Sequence, residues 1–399
     1  MKVLLIHDYP NLQGGAEINM LLLKKGLRER GHEVRLFTSC ANSDRLDLEP
    51  EVTCFGTTSR WRTLLQSANP FAYFKLRRLL QTFRPDVVYV QIFLTQLSPL
   101  ILPLLKNVPA IHDLCWYRAI CPIGTKQIPN RGSCQNQAGL VCYTKKCLPL
   151  RDWVPLTFQA WLYRRWRSCF DLVMANSHTL KKRFEQEGFK NILVLNHAFP
   201  TATTKSAPAA APVIGFIGRL VPEKGGAFLV RAFAQIVEKF PEAKLLIVGD
   251  GPEAASLKKL THEQNIIGNV SFIPHLPYHE LDKSFSPVWV QVVPSVWEEP
   301  FGNVVVEAML RGTPVVASRM SGLAETIEHE KTGLLVSPGN VEELTAAMEL
   351  LIRNPMLREK ISRAAQSEAE KKYALSGFID KMETLMRDLV ARRNYVKTN

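Results

Sequence analysis

Short apolar runs alternate along the chain with longer stretches of helical spacing. Lys2–His7 is the first run and predicts a buried strand. The apolar stretch within Met1–Asp8 meets charge at once and is too short for a secretion leader. Glu17–Arg30 has apolar positions three and four apart and stops at Gly31, which predicts a helix with a glycine C-terminal cap. Glu33–Thr38, Asp86–Gln91, Pro109–His112 and Leu172–Ala175 are the next expected strands, with helical stretches between them. This β-α-β rhythm implies a parallel, doubly wound sheet.

Thr201–Pro212, TATTKSAPAAAP, breaks the rhythm with linker composition. Afterwards it restarts: strands are expected at Val213–Ile217, Lys244–Val248, Val270–Ile273, Trp289–Val293, Pro314–Ala317 and Leu334–Val336. Helices are expected at Gly226–Phe240, Val341–Arg353 and Pro355–Lys372. The pattern therefore divides into an N-terminal domain (1–200), a linker (201–212), a C-terminal domain (213–373) and a terminal helix (374–399) that returns to the first domain. Two Rossmann-like halves leave a cleft at the carboxyl ends of their sheets, where ligands of open α/β folds bind.

Composition adds one fact that the pattern does not hold. The net charge is +13. Residues 1–200 carry 27 Lys+Arg against 14 Asp+Glu, whereas residues 201–399 carry 23 of each. A one-sided excess points to an anionic partner of the first domain rather than to nucleic acid, for which no motif is present. No run of about 18 uncharged apolar residues is available to span a bilayer.

Candidate chemistry concentrates in Pro294–Ser318, PSVWEEPFGNVVVEAMLRGTPVVAS. The expected order is strand, loop, then a short helix Val304–Arg311 capped by Asn303 and ended by Gly312. Helix-initial amides bind phosphate, and Gly302 allows close backbone approach, so a diphosphate fits at Gly302–Val305 beside Phe301 and Val304. Glu299 then faces the sugar end of such a ligand, and Glu307, one turn inside, the ribose hydroxyls. The bland alternative is two solvated carboxylates on an ordinary βα unit.

This segment resembles the E-x7-E signature of retaining family 4 glycosyltransferases, with Glu299 and Glu307 as its two acids. Gly14-Gly15-Ala16-Glu17, Arg30–Val34, Arg84–Val88, Gly215–Arg219 with Glu223-Lys224-Gly225, Gly249–Pro252 and Ser321–Glu325 resemble further family segments, in order, over nearly the whole chain. The resemblance implies the GT-B fold and a nucleotide-diphosphate sugar, UDP- or GDP-linked, as donor. It implies a glycan or lipid-linked acceptor and retention of configuration, with no catalytic metal. Gly14, Gly15, Gly218, Arg219 and Lys224 would serve the donor phosphates, and His112 would contact the donor sugar. Asn196-His197 stands where the family often has Asn-Gly, and His275 where it tends to have Gly. Asp44-Arg45-Leu46-Asp47 has the wrong spacing for an Asp-x-Asp metal pair. Competing readings are a same-fold epimerase or phosphorylase and a non-catalytic partner subunit.

Two further features stand apart from those motifs, and the first resembles the Cys-rich loop that a subset of this family carries in its N-terminal domain. Cys121, Cys134, Cys142 and Cys147, in a loop spanning 115–147 that also holds Cys115, suggest a structural zinc, although no C-x2-C pair is present. Without a secretion leader a cytoplasmic, reducing setting is expected, so disulfides are not the default. Trp61, Trp161 and Trp166 lie among Arg60, Arg62, Lys75, Arg77, Arg78, Arg164, Arg165 and Arg167. That mixture suits an anionic membrane surface, on the inner face of the cytoplasmic membrane. The alternative is aromatics packed in a core beneath a solvated basic face.

Overall fold

The computed structural model describes every residue except 13, 42–45, 130–131, 201–208, 275, 277 and 399, and omits the side chains of 278, 279, 282, 394 and 396–398. Most of the linker and His275 lie outside the described residues, as do two positions of the Asp-x-x-Asp segment. The chain forms two compact units: Met1–Ala198 with Leu375–Asn399, and Phe199–Ala374.

Unit 1 begins with β1 (Lys2–Ile6), α1 (Gly15–Glu29), β2 (Glu33–Ser39) and β3 (Val52–Cys54). It continues through α2 (Arg62–Ser67), α3 (Pro70–Phe83), β4 (Val87–Val90) and β5 (Ala110–Leu114). After β5 come a short hairpin of β6 (Gln127–Ile128) and β7 (Gly132–Ser133), then α4 (Leu140–Thr144) and α5 (Leu150–Trp166). β8 (Leu172–Ala175), α6 (His178–Gln186) and β9 (Ile192–Val194) close this run. The main sheet is parallel, in the order β3-β2-β1-β4-β5-β8-β9. Its central strands are buried along their length, as expected when helices cover both faces. Capping follows local chemistry: Asn69 accepts from the Ala72 amide at 3.1 Å, with Pro70 in the first turn of α3.

Unit 2 contains β10 (Val213–Ile217), α7 (Gly226–Lys239), β11 (Lys244–Val248), α8 (Ala254–Glu263), β12 (Val270–Ile273) and α9 (Tyr278–Phe285). Then follow β13 (Val290–Val293), α10 (Asn303–Arg311), β14 (Val315–Ser318), α11 (Ser321–Thr326), β15 (Leu334–Val336), α12 (Val341–Arg353) and α13 (Pro355–Lys372). Its sheet is parallel, in the order β12-β11-β10-β13-β14-β15. One core gathers β10, β11, α7 and α12 residues such as Leu229, Phe233, Leu245 and Met348. Another gathers Phe199, Phe301, Val305, Met309 and Tyr373.

The final helix, α14 (Leu375–Thr398), belongs to unit 1. Phe378, Ile379, Met382 and Met386 enter the core of Leu23, Leu27 and Val34. Arg30 holds the same helix through Asp380 at 2.5 Å and Glu383 at 3.0 Å. Unit 2 starts earlier than the composition break suggests. Phe199 pairs with Ala374 and stacks on Phe301, while Ala209 accepts a bond from the Trp289 indole at 2.8 Å. A proline- and alanine-rich composition shows only that a segment lacks a core of its own, and a neighbouring unit can still bind its backbone.

Candidate active site

In unit 2 the strand order reverses between β10 and β13, which places the loops after those two strands side by side. The β10 loop carries Gly218, Arg219 and a short turn Pro222–Lys224, then opens α7. The β13 loop runs from Pro294 to Gly302 and opens α10. Two helix N-termini, with their unpaired amides, therefore open beside the reversal point.

The two loops are joined by an ion pair. Lys224 Nζ lies 2.5 Å from Glu299 Oε1, and Ser295 Oγ donates to the same oxygen at 2.8 Å. Lys224 also sits 5.6 Å from the centre of the Trp297 ring. Burial alone would raise the Glu299 carboxyl, but Lys224, Ser295 and Trp297 together hold it below its ordinary value. Glu299 is thus a buried carboxylate kept charged. Arg219 is exposed on the neighbouring loop. Glu307 is buried on α10, one turn inside the helix that follows the Glu299 loop.

Backbone geometry enforces this arrangement at two glycines. Gly225 has φ 73°, and a Cβ there would stand 1.9 Å from the Pro294 carbonyl oxygen, so only glycine lets the loops touch. Gly302 has φ 93°, and its Cβ would stand 2.4 Å from Leu323 Cδ2. Gly302, rather than Asn303, caps α10, and Asn303 is the first helical residue. No side-chain cap closes this helix end; the Val305 amide donates to the Gly302 carbonyl at 2.9 Å, which leaves the earlier amides for another acceptor. The Gly322 amide donates to the Glu299 carbonyl at 3.1 Å, so the Ser321–Glu325 segment buttresses the acid. Phe301 faces away from that mouth: its ring is buried against Phe199 and Tyr373, and only its backbone is free to serve a ligand. Val304 likewise packs on that core, and its carbonyl accepts from Gln291 at 2.9 Å.

Unit 1 holds a different polar cluster where its own strand order reverses, at the ends of β1 and β4. Asp8 accepts from the amides of Thr95 (2.7 Å), Gln96 (2.9 Å) and Leu97 (2.9 Å) and from the Thr95 hydroxyl (2.5 Å). Glu17, in the first turn of α1, lies 3.7 Å from His7 Nε2. Burial pushes Glu17 up to about 7 and His7 down to about 4. His7 is therefore neutral near pH 7, whereas Glu17 is only partly protonated there. Gly14 is exposed and extended, a conformation any residue adopts, and Gly15 begins α1.

His112 is 2% exposed. Its ring stacks on Phe170 at 4.5 Å, meets Phe93 edge-on at 5.4 Å, and takes the Tyr163 hydroxyl at 3.2 Å on Nδ1. Burial pushes it down to about 3, so it is neutral. The alternation of a strand sends the next residue, Asp113, to the opposite face. There Asp113 accepts from Tyr89 (2.5 Å) and Gln91 (2.9 Å) and pairs with His197 (2.9 Å). Burial favours neutral Asp113, but His197, Tyr89 and Gln91 outweigh it and hold the carboxyl low. The unusual His197 is thus the partner of a buried acid.

Several contacts hold the cysteine loop together. Cys121, Cys134, Cys142 and Cys147 are free thiols, and among the described residues no group of three His, Cys, Asp or Glu is placed to hold an ion. Lys126 pairs with Glu187 at 2.5 Å, the Trp153 indole donates to Gly139 at 2.9 Å, and Leu148, Leu156 and Cys142 pack together. As described, the four thiols do not fit a zinc ion.

Ser295 and Trp297 were not singled out from the sequence, and Glu17 and His197 stood out there only as part of a family segment and as a departure from one, without a role. Ser295 and Trp297 lie inside the segment that was singled out, but their role depends on which way a loop side chain turns. With this geometry in view, comparison with known proteins is decisive. The family profile described as glycosyl transferases group 1 matches residues 203–368, and that described as glycosyltransferase family 4 matches residues 13–202. The chain belongs to the group 1, family 4 glycosyltransferases. Over 162 residues this family member is 36% identical to an uncharacterised glycosyltransferase of Methanocaldococcus jannaschii, covering 41% of each chain. The match thus spans about two fifths of that relative's length. With the lipopolysaccharide core biosynthesis glycosyltransferase LpsD of Rhizobium meliloti it shares 27% over 395 residues, 98% of this chain and 100% of that one. Its fold is GT-B. Sucrose-phosphate synthase of Thermosynechococcus elongatus superposes with TM-score 0.76 at 21% identity, over 98% of this chain and 99% of that one. Anabaena HepE, solved with UDP and glucose, does so with TM-score 0.72 at 21% identity, over 97% and 100%.

Proposed function

We propose that this glycosyltransferase-family chain moves a sugar from a nucleoside diphosphate, UDP or GDP, to a glycan or lipid-linked acceptor, with retention of configuration and without a catalytic metal. It would act in cell-surface polysaccharide or glycolipid synthesis, at the inner face of the cytoplasmic membrane. The observation that carries the reading is the Lys224–Glu299 pair set between the openings of α7 and α10. As the bond from sugar C1 to phosphate oxygen breaks, charge collects on the diphosphate. Lys224, Arg219 and the α10 amides are fixed positive groups for it, worth more in the transition state than in the ground state. Glu307 accepts hydrogen bonds from the ribose. Glu299, held ionised, orients the sugar hydroxyls and fixes Lys224. The acceptor oxygen bonds to C1 on the face the phosphate leaves, and its proton passes to a phosphate oxygen, so no protein base is required. His112, boxed by aromatics, would contact the donor sugar in this scheme, as the family resemblance implies.

The same set of relatives motivates the donor class: HepE was solved with UDP and with UDP-glucose. A panel of nucleotide sugars read by thermal shift and by hydrolysis tests the proposal. A donor at about 100 times its dissociation constant adds about 2.7 kcal/mol of stability. Absence of any shift or turnover across UDP- and GDP-sugars would refute it, and loss of activity in EDTA would refute its metal-free part. A zinc on the cysteine loop would require the four thiols to draw together, and metal analysis of fresh protein decides that separately.

A further inference from the structure

The exposed face of α5 is apolar. Leu150, Val154, Phe158 and Trp161 recur at helical spacing, and each is 47–55% exposed. The opposite face is already spent, since Leu156, Gln159, Leu162 and Tyr163 are buried in unit 1. A helix of a water-soluble surface turns charge outward. Here an outward apolar stripe is bordered by Arg151, Arg164 and Arg165, all exposed. Helix α2 extends the face with Trp61 and Leu64, 59% and 55% exposed. It is fastened to α5 by Thr63 on Asp152 at 3.0 Å and by Ser67 on the Pro155 carbonyl at 2.6 Å. Isolated exposed hydrophobics are ordinary, but a contiguous stripe on two tethered helices marks an interaction surface.

Charge selects the partner. Residues 52–166 carry 15 Lys+Arg and 3 Asp+Glu. Of those three acids, Asp113 is buried, Asp152 holds Thr63, and Asp86 accepts from the Lys2 amide at 2.7 Å. A second copy of this chain would set one arginine row against another, which disfavours self-association. Nucleic acid would meet the arginines but leave the leucine and valine stripe in water. An anionic lipid surface satisfies both, taking the arginines at the headgroups and the apolar side chains just beneath.

We infer that α2 and α5 form the face by which the protein docks reversibly on an anionic bilayer. This inference deepens the proposed placement of the enzyme at the membrane, and its test is independent of sugar transfer. The full chain is floated with vesicles of phosphatidylcholine alone and of phosphatidylcholine with phosphatidylglycerol, at low and high salt. Flotation is expected only with the anionic vesicles, and several-fold less at high salt, because the screening length falls from about 10 Å at 0.1 M to about 3 Å at 1 M. Phe158→Ser with Trp161→Ser is expected to reduce binding about tenfold at every salt, and Arg164→Glu with Arg165→Glu to abolish the preference for anionic lipid. Unchanged melting temperature in both variants confirms that they fold. Donor turnover in vesicle-free solution reports on the transferase reading by itself. Failure of wild type to float, flotation of the variants equal to wild type, or concentration-dependent dimers dissolved by the serine variant would each overturn the docking face.

Discussion

Glu17 and Glu299 are both buried carboxyls near the mouth of a helix, one in each unit, and burial has opposite consequences for them. Glu299 meets Lys224 at 2.5 Å and stays ionised. Among the described residues no cation pairs with Glu17; its neighbour His7 is itself discharged by burial, and Asp8 adds a like charge. Its carboxyl is pushed up to about 7. The same desolvation acts at both sites, and the partner decides the sign. Unit 2 therefore presents an acid held ionised by a cation where its strand order reverses, and unit 1 presents two acids, Asp8 and Glu17, whose carboxyls burial pushes up. In the proposed function, unit 2 would serve the diphosphate and unit 1 the acceptor.

The sharpest way to break the contrast is to remove the cation from unit 2. Lys224→Ala leaves Glu299 buried and unpaired, so it should resemble Glu17. Turnover is expected to fall by about 100-fold or more, as when one fixed transition-state donor is lost, and stability by about 3 kcal/mol. Lys224→Met combined with Glu299→Leu should regain most of that stability while staying inactive. Steady-state kinetics and denaturant titration of both variants separate the two roles. A single variant with wild-type turnover would remove the pair from the mechanism.

Next in size is Glu307→Ala, which touches binding rather than charge development. Nucleotide affinity is expected to weaken by about tenfold or more, corresponding to one lost charged hydrogen bond, with the melting temperature little changed. Calorimetric titration with UDP and GDP measures it. Glu299→Ala, by comparison, should bind nucleotide nearly as wild type and lose turnover.

The pH dependences should run in opposite directions. Glu17 has its folded value raised from the ordinary 4.5 to about 7. Its contribution is complete below 4.5 and is lost as pH rises through 7. Glu17→Gln removes that loss, so the variant should gain on wild type between pH 5 and 8, by on the order of 1–3 kcal/mol. Glu299 has its folded value lowered, so its contribution is present above 4.5 and disappears on acidification. A pH series of denaturation curves that showed Glu17→Gln parallel to wild type would void the contrast.

The smallest effect concerns the aromatic box. His112→Phe keeps the stack on Phe170 and Phe93 and loses one bond to Tyr163. About 1 kcal/mol of stability should be lost. A fall in turnover far beyond that would show that the Nε2 edge of His112 works on the sugar.

Much of this was legible beforehand. Strands such as Val213–Ile217, Lys244–Val248, Val270–Ile273 and Leu334–Val336 stand where the apolar runs predict them, as do Val341–Arg353 and Pro355–Lys372. Parallel strands buried on both faces read as continuous apolar runs, and that signal is strong. β3, three residues at one sheet edge, left no such run, whereas β9 at the other edge lies in the short apolar run Ile192–Leu195, which was not read as a strand. Asn303 was misplaced by one residue because the cap is a glycine with positive φ, which composition cannot distinguish from a loop glycine.

The sequence by itself determined the family, the doubly wound class and the segments that carry chemistry, because strand burial, helix stops and ordered motifs are local properties. Tertiary structure decided what those segments face. It paired Lys224 with Glu299, turned Phe301 into the core and enclosed His112 while opposing Asp113 to His197. It also turned the apolar stripe of α5 outward. Spacing along a chain fixes which side chains share a face, but burial, partner and charge state depend on what a distant segment places against that face.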